Sequence, residues 1–333
     1  MIIPQSPESA PILGIAAQLD AAGYYRIVVP MRAVGGSWAT IATMTQEQVD
    51  SCHTVVISRL SGAEQDVFKF IRHLKRLGKR VLVDYDDAMF MRHPVTEVRM
   101  SLALRRSIKV ALTEADGVIV TGHQLKKYFR RYTKLPIYIV PNLIIPHDWP
   151  EPSPWDSPPV IVMAGSPSHK RDWDIAVEAL AFIRKSAPDV QLRLLGCEHD
   201  LLKQIATQGG HWFSDVGEYR NALRGGMIGL CPLPYTRFNE CKTPVKLIEY
   251  AMSGLAVIGS PTQYEKHLSE HGIIVTDDDP RGWAIGIASY LAKPRMARDK
   301  ANSLRSYVSK TFDAMNHHRE LIAVYSEGSQ CLS

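Results

Sequence analysis

The sequence predicts an α/β protein of two Rossmann-like, doubly wound domains facing a cleft, and three observations carry that prediction. Short β-rich runs alternate with helical patterns along the whole chain, the mark of strand-helix-strand units and parallel sheets. Six prolines (Pro146, Pro150, Pro152, Pro154, Pro158 and Pro159) crowd one stretch too densely for a regular element. A second alternating series begins directly after them. The expected division is an N-terminal domain over 1–145, a Pro-rich linker over 146–159, and a C-terminal domain with a helical tail over 160–333.

In the first half, strands are expected at His53–Ser58, Arg80–Asp84, Gly117–Thr121 and Ile137–Val140, with helices at about 62–78, 98–114 and 122–132. The stretch before Thr45 has no clear period, and only Met1–Pro4 suggests a first strand. In the second half, strands are expected at Val160–Ala164, Gln191–Leu195, Ile228–Cys231, Ala256–Gly259 and Ile273–Val275. The helix from Asp172 to Lys185 carries Ile175, Ala176, Ala179, Leu180 and Ile183 on one face, the 3.6-residue spacing of a helix buried on one side. From about Pro280 the pattern is helical with no further strand. Open parallel sheets bind ligands beyond the carboxyl ends of their strands. The chemistry is therefore expected in the cleft between the domains.

The 333 residues are 45% hydrophobic and 22% charged, a globular balance with enough length for two cores. No apolar run approaches the ~20 residues of a membrane span, and MIIPQSPESAP lacks the features of a signal peptide. A soluble, cytoplasmic protein is expected, in a bacterial cell or a phage-infected host. The five cysteines (Cys52, Cys197, Cys231, Cys241 and Cys331) form no CxxC pair, so neither a disulfide framework nor a zinc site is indicated. Residues 1–150 hold 19 Lys and Arg against 13 Asp and Glu, a charge of +6, whereas 151–333 hold 20 against 21. Much of the excess sits on two helix-like stretches, Lys69–Arg80 and Lys126–Lys134. Such a stripe is either a solvated face or an attraction for an anionic partner.

The most informative segment is FNECKTPVKLIEYAMSGLAVIG, Phe238–Gly259. Thr243 and Pro244 read as N-cap and first residue of a helix. Val245, Leu247, Ile248, Ala251 and Met252 form its buried stripe, and Gly254 ends it. Lys246, Glu249 and Ser253 are left on the other face. Lys242 and Lys246 thus lie at the helix N-terminus, where the dipole disfavours a cation by ~0.3–1 kcal/mol. Two lysines there suggest a bound anion. A diphosphate would receive free backbone N–H groups, the dipole and both ammonium charges, and Glu249 would be placed to accept from ribose hydroxyls. An ordinary Lys246–Glu249 surface pair is the structural alternative.

AGSPSHKRDWD places Gly165 and Ser166 at a strand-to-helix turn where backbone can approach a phosphate or sugar, with His169, Lys170 and Arg171 adding charge. A polar loop capped by Asp172 is the alternative. Gly196 follows the next strand, as a turn glycine or a residue facing a base. Asp84, Asp86 and Asp87 end the strand RVLVD. Three carboxylates so close raise one another's pKa and suggest an acceptor hydroxyl, general-base work or a cation. His93 reads as structural, and His123 as a helix start or a cleft residue.

The chain resembles the GT-B glycosyltransferases of the group 1, family 4-like kind, in a subgroup common in bacteria and phages that reads roughly FN-x-x-K-S-x-x-K-x-x-E-Y-A. The match stands at Phe238, Asn239, Lys242, Thr243, Lys246, Glu249, Tyr250 and Ala251. VDYDDAMF (Val83–Phe90), ADGVIVTGHQL through VPN (Ala115–Asn142) and AGSPSHKRD (Ala164–Asp172) follow the same family in order, so the likeness covers about 53–275. The resemblance implies a GT-B fold and transfer of a hexosyl or pentosyl group from a nucleoside-diphosphate sugar, with retention and no metal. Glu249 carries over as the ribose-binding carboxylate. The wider family has a second glutamate eight positions earlier, where this chain has Cys241, with Glu240 one residue off register. The sugar-binding role of that glutamate does not carry over.

The donor-binding set is accordingly Gly165, Ser166, His169, Lys170, Gly196, Asn239, Lys242, Thr243, Lys246 and Glu249. Lys242 and Lys246 are expected to stabilise the departing diphosphate, which is where transition-state charge builds, and Asp86 and Asp87 to act on the acceptor side. No tightly bound cofactor is expected. The acceptor is expected to be anionic: DNA carrying hydroxymethylated bases, a lipid-linked glycan or a phosphorylated glycan, met first by Lys75, Arg76, Arg130 and Arg131. A glycan- or nucleotide-sugar-binding protein without turnover is the rival, because Cys241 replaces the first glutamate. A dinucleotide oxidoreductase is disfavoured, because no GxGxxG follows an early strand.

Overall fold

Both strand series form sheets. The computed structural model describes residue 7 and residues 10–92, 100–196, 198–211, 213, 215–275 and 279–327. Its first sheet holds β1 (Ile12–Ala16), β2 (Ser37–Thr40), β3 (Thr54–Ser58), β4 (Arg80–Tyr85), β5 (Gly117–Val120) and β6 (Ile137–Ile139), in the order β2-β1-β3-β4-β5-β6. The second holds β7 (Val160–Ala164), β8 (Gln191–Leu195), β9 (Gln208–His211), β10 (Ile228–Cys231), β11 (Ala256–Gly259) and β12 (Ile273–Ile274), in the order β9-β8-β7-β10-β11-β12. The pairings within both sheets are parallel. Strands such as VVIS, GVIV and VIVMA are buried on both faces, which is why they read as unbroken apolar runs.

In each sheet the strand order reverses once, between β1 and β3 in the first and between β7 and β10 in the second. Loops leaving the carboxyl ends of two such strands diverge and leave a crevice. The expected pair of doubly wound domains is therefore present, each with its own switch point.

The expected strand Met1–Pro4 lies outside the described residues. β1 is followed by α1 (Ala21–Gly23), a π-helical turn over Tyr24–Val28 and α2 (Val29–Val34). The β-branched run Ile27–Val29 and Pro30 are poor helix formers, so no helical signal shows in the sequence. Burial of the whole turn overrides that preference. Val29 N–H bonds back to Tyr24 O, five residues earlier, a widened turn of the kind often found at functional sites.

The other helices of the first domain are α3 (Gln46–Ser51), closed by a Thr45–Gln48 capping box, α4 (Glu64–Arg76), α5 (Leu102–Glu114) and α6 (His123–Phe129). Those of the second half are α7 (Asp174–Ser186), α8 (Val216–Leu223), α9 (Val245–Met252), α10 (Pro261–Leu268), α11 (Pro280–Ala292), α12 (Pro294–Thr311) and α13 (His318–Ile322). α7 begins two residues later than its sequence pattern, because Pro167–Trp173 winds as a tighter 3-10 turn. No strand follows Pro280 among the described residues, and none of their helices is long and apolar enough to cross a membrane.

The domains share core. One apolar cluster joins Ile12, Val28 and Ile144 of the first domain, Trp149 of the linker, Leu247 and Met252 of α9, and Leu321 and Tyr325 of the tail. The tail returns to the first domain, where Tyr325 O accepts from Thr54 Oγ1 (2.7 Å) and Arg80 (2.8 Å), and His318 Nδ1 meets Ala33 O (2.8 Å). Going out and coming back, the chain runs side by side with itself: Ile144 N–H donates to Phe312 O and Ala314 N–H to Ile144 O, each at 2.8 Å. The Pro-rich linker is anchored too, with Asp148 accepting from Tyr24 Oη (2.6 Å) and from Arg32.

The basic stripe is partly tied up within its own domain. Arg72 pairs with Glu114 at 2.6 Å and Lys75 with Asp116 at 2.7 Å, fastening α4 to α5, and Arg130 donates to Leu135 O at 2.9 Å. Of the nearby aromatics, Tyr128 and Phe129 are core, whereas Phe68 is exposed beneath the Arg72 guanidinium.

Arg26, inside the π-helical turn, is fully buried and bidentate to buried Asp84 at 3.0 and 2.6 Å, with further bonds to Val140 O and Asn142 Oδ1. Removing one partner of such a pair strands the other charge, at a cost of about 3–5 kcal/mol. Arg26→Met is expected to lower the melting temperature sharply, and the double change Arg26→Met with Asp84→Leu to recover most of the loss. Equal melting of both single and double variants with wild type would show that the pair contributes nothing.

Candidate functional site

Where the two switch points meet lies a cleft of about 770 Å³. The first domain lines it with the loop after β1 (Gln18–Ala22), Tyr25 and Arg26, with Arg59 after β3, and with Asp86 and Asp87 after β4. The second contributes Gly165, Ser166 and His169 after β7, Gly196 after β8, Tyr219 from α8, and Lys242, Thr243, Lys246 and Glu249 from the β10–α9 connection and α9. Ten residues singled out in the sequence meet here from both domains: Asp86, Asp87, Gly165, Ser166, His169, Gly196, Lys242, Thr243, Lys246 and Glu249.

Two others do not line the cleft. Lys170 pairs with Asp200 at 2.8 Å, where both side chains are exposed. Asn239 is buried behind the cleft wall, donating from Nδ2 to Pro234 O and Asp172 Oδ1. His123 opens α6 behind an N-cap at Gly122, away from the cleft, and His93 falls outside the described residues.

α9 starts one residue later than its sequence signals, with Pro244 at the N-cap and no side-chain cap. Thr243 Oγ1 instead accepts from Asn142 Nδ2 at 2.8 Å, bridging the domains. The α9 start thus lines the cleft through Thr243, Val245 and Lys246 with no side-chain cap, beside Lys242. A helix start of this kind attracts an anion through its free N–H groups and its dipole.

Glu249 was expected on a polar outer face and is instead 2% exposed. Its carboxylate accepts from Tyr25 Oη (3.1 Å), Tyr219 Oη (2.8 Å) and Lys246 Nζ (2.7 Å). The polar face of α9 is turned into the seam between the domains, where an amphipathic pattern cannot be distinguished from a solvated one. Both the structural pair and the cleft position therefore hold at once. Burial, then the neighbouring Glu249, drives the Tyr25 and Tyr219 phenols well above their usual range, so both stay protonated donors.

Gly165 N–H bonds to Leu195 O, and Gly196 adopts φ +89° directly against it. A Cβ on Gly196 would lie 2.4 Å from Gly165 O. The strand ends of β7 and β8 are thereby kept bare of side chains at the cleft. His169 does not add the positive charge expected of it. Burial first, and the Lys242 ammonium second, hold its imidazole below the ordinary range, against the opposing pull of Asp172.

The three aspartates do not act as one cluster. Asp84 belongs to Arg26, and Asp86 accepts twice from Arg59 at 2.6 and 2.7 Å. Burial alone would raise the Asp86 carboxyl, but the Arg59 guanidinium outweighs it and holds the group below the usual range. Asp87 is raised, by burial and then by the Asp86 charge, with Lys242 and Arg59 opposing. Among the described residues no group of three His, Cys, Asp or Glu side chains converges as a metal site.

Sequence reasoning missed Tyr25, Arg26, Arg59 and Tyr219, and gave Asn142 only as the end of a family-like segment. Tyr25 and Arg26 lay in the unreadable stretch. Arg59 had a signal, since it follows a strand end as Gly165 does, and its backbone takes φ +50°, which a residue with a side chain rarely adopts. Cys241 faces away from the cleft and packs with Phe238 against the first domain's Phe90, Tyr128 and Phe129 cluster. Burial pushes its thiol up to about 11, so it stays protonated.

Residues 158–293, less than half of the chain, match the family of glycosyl transferases group 1. None of the curated proteins matches the sequence. Among solved structures, TarM aligns with a TM-score of 0.63 at 11% identity over 84% of this chain, which spans only 55% of TarM's length. Sucrose-phosphate synthase from Thermosynechococcus elongatus aligns with a TM-score of 0.61 at 17% identity, over 95% of this chain and 100% of that one. Anabaena HepE, solved in complex with UDP, aligns with a TM-score of 0.63 at 12% identity, over 95% and 99%. These likenesses establish a common two-domain fold.

The two glycines Gly196 and Gly78 separate crowding from backbone preference, because Gly78 also has positive φ (+74°) but open space around it. Gly78→Ala is expected to lose about 1–2 kcal/mol, the cost of a left-handed backbone. Gly196→Ala should lose clearly more in the same thermal unfolding experiment. Equal losses would mean that the β7 and β8 ends are not in close approach.

Proposed function

We propose that this chain, a two-domain GT-B fold whose residues 158–293 match the group 1 glycosyl transferases, moves a sugar from a nucleoside-diphosphate sugar to a hydroxyl acceptor. The observation that carries the proposal is the uncapped start of α9, flanked by Lys242 and Lys246 and facing the bare backbone at Gly165 and Ser166. Those groups suit a diphosphate that gains charge as it leaves. Fixed donors and ammonium groups aimed at developing charge are the form of catalysis that usually contributes most.

The ribose is assigned to Glu249. Among the described residues its Oε1 is held by the 3.1 Å contact from Tyr25, the longest of the three bonds to the carboxylate, and a ribose hydroxyl can take that place. Solved complexes of HepE and of the pneumococcal transferase GtfA with UDP make uridine nucleotides the first to test. On the acceptor side, Arg59 keeps Asp86 ionised while Asp87 lines the same cleft with its carboxyl raised, so Asp87 is assigned to orient the attacking hydroxyl. Retention follows the family resemblance, and the anomer formed is read directly from the product.

A second reading, a protein that binds nucleotide sugar without turnover, draws on Cys241, a buried thiol at the position where the resemblance implies a glutamate. Release of UDP from a UDP-sugar, with and without an acceptor mixture, distinguishes the two. An anionic acceptor is supported by the net charge of +6 over residues 1–150, although Arg72 and Lys75 are engaged by Glu114 and Asp116.

Lys242→Ala and Lys246→Ala are each expected to weaken UDP binding, measured by calorimetry, about tenfold or more, since a hydrogen bond to a charged group contributes about 1.5–3 kcal/mol. Affinity unchanged in both would remove the diphosphate from the α9 start. Turnover is expected to persist in EDTA, because two ammonium groups and a helix start carry the charge that a metal would otherwise carry. Loss in EDTA with recovery in Mg²⁺ or Mn²⁺ would transfer that role to a cation.

A further inference from the structure

A line of four side chains runs from behind the cleft wall to its surface, and of these the diphosphate contacts account only for the last, Lys242. Asn239, fully buried, donates from Nδ2 to Pro234 O at 2.9 Å and to Asp172 Oδ1 at 3.2 Å. Asp172, also buried, turns its other oxygen to His169 Nδ1 at 2.8 Å. His169 Nε2 then faces Lys242 Nζ at 3.4 Å on the cleft surface.

The chemistry of each group fixes the next. Asp172 as a carboxylate can only accept, so His169 Nδ1 carries the hydrogen. Burial and the ammonium charges of Lys242 and Lys246 favour the neutral ring, while Asp172 opposes them. A neutral ring with Nδ1–H presents a lone pair at Nε2, the only arrangement in which an ammonium can approach it. Lys242 is otherwise bounded by the Phe238 ring, 5.4 Å from Nζ, and attracted across the cleft by Asp87. Its stem is flexible, and a point charge on such a stem needs external guidance to meet a phosphate in one geometry.

We propose that Asn239, Asp172 and His169 form a relay that fixes the tautomer of His169, and that His169 is thereby the positioning residue for Lys242. The role of Lys242 rests on the nucleotide-sugar reading of the cleft; the tautomer does not. The relay also gives Asn239 a function: it stands behind the ligand site and sets the orientation of a group that reaches it.

The relay can be reversed by one substitution. In Asp172→Asn, the Asn239 amide is still anchored to Pro234 O and still needs an acceptor, so the new side chain must turn its oxygen to Asn239 and its NH₂ to His169. Nδ1 then has to accept, the hydrogen moves to Nε2, and two donors face each other at Lys242. The predicted result in two-bond ¹H–¹⁵N spectra of the full-length, histidine-labelled protein is Nδ1–H at His169 in wild type, and Nε2–H in Asp172→Asn. UDP affinity by calorimetry should fall about tenfold in Asp172→Asn and in His169→Phe, a loss in the range for hydrogen bonds to charged groups. His169→Gln, whose carbonyl can reach Lys242, should keep most of it.

Nε2–H in wild type would overturn the relay. A flipped tautomer with unchanged UDP affinity would overturn the positioning of Lys242. If Asp172→Asn does not fold, the wild-type spectrum and the His169→Gln and His169→Phe pair decide the question. Failure of wild type to bind any of UDP, GDP, ADP or dTDP would remove the nucleotide reading, and the assigned task of Lys242 with it, whatever tautomer is found.

Discussion

A carboxylate buried between two domains is tolerable only if donors converge on it, and the arrangement around Glu249 is the constraint on which the rest of the cleft depends. Its partners come from three places in the chain: Lys246 from its own helix, Tyr219 from α8 and Tyr25 from the first domain. An unpaired charge at that depth would cost several kcal/mol, so the three elements are held in register by the need to satisfy it. The α9 start, the bare β7 end and the first domain's wall are consequently presented to one volume. Next to it, Arg220 lies between the rings of Tyr24 and Trp149, at 4.8 and 4.1 Å, and extends the same polar seam into the linker.

Electrostatics divides the cleft into sides. The second domain offers ammonium groups and backbone N–H at the α9 start, whereas the first offers carboxylates whose protonation has been separated: Arg59 keeps Asp86 ionised, and burial with that charge nearby raises Asp87. Neighbouring groups pushed in opposite directions are characteristic of sites that move protons. Here the division is produced by one arginine at the end of β3, held in an uncommon backbone conformation.

Much of this was legible in the sequence, and the failures have physical causes. Strands such as Val160–Ala164 and Ala256–Gly259 were legible to the residue, because strands buried on both faces leave unbroken apolar runs between polar turns. The Tyr24–Val28 turn was not, since β-branched residues and Pro30 argue locally against a helix that only tertiary burial enforces. α9 was legible as a helix, but its polar face was ambiguous. Hydrophobic periodicity reports that Lys246 and Glu249 avoid the core without saying whether they meet water or another domain. Arg26 and Asp84 show the same limit more sharply: 58 residues apart, they form a fully buried pair that no local pattern encodes. Asn239 marks the opposite case, a motif residue placed next to the site by sequence and behind it by the fold.

The chain crosses between the domains twice, once through the linker and once through the returning tail, and the crossings are bonded to each other at Ile144 and Phe312–Ala314. The contacts that face each other across the cleft, Tyr25 with Glu249 and Asn142 with Thr243, do not stand alone: Phe238 and Cys241 pack into the first domain's apolar cluster beside them. Anything that widens the cleft must therefore break hydrogen bonds and wet apolar surface in the same step, and a ligand that replaces one of those hydrogen bonds removes only part of that cost.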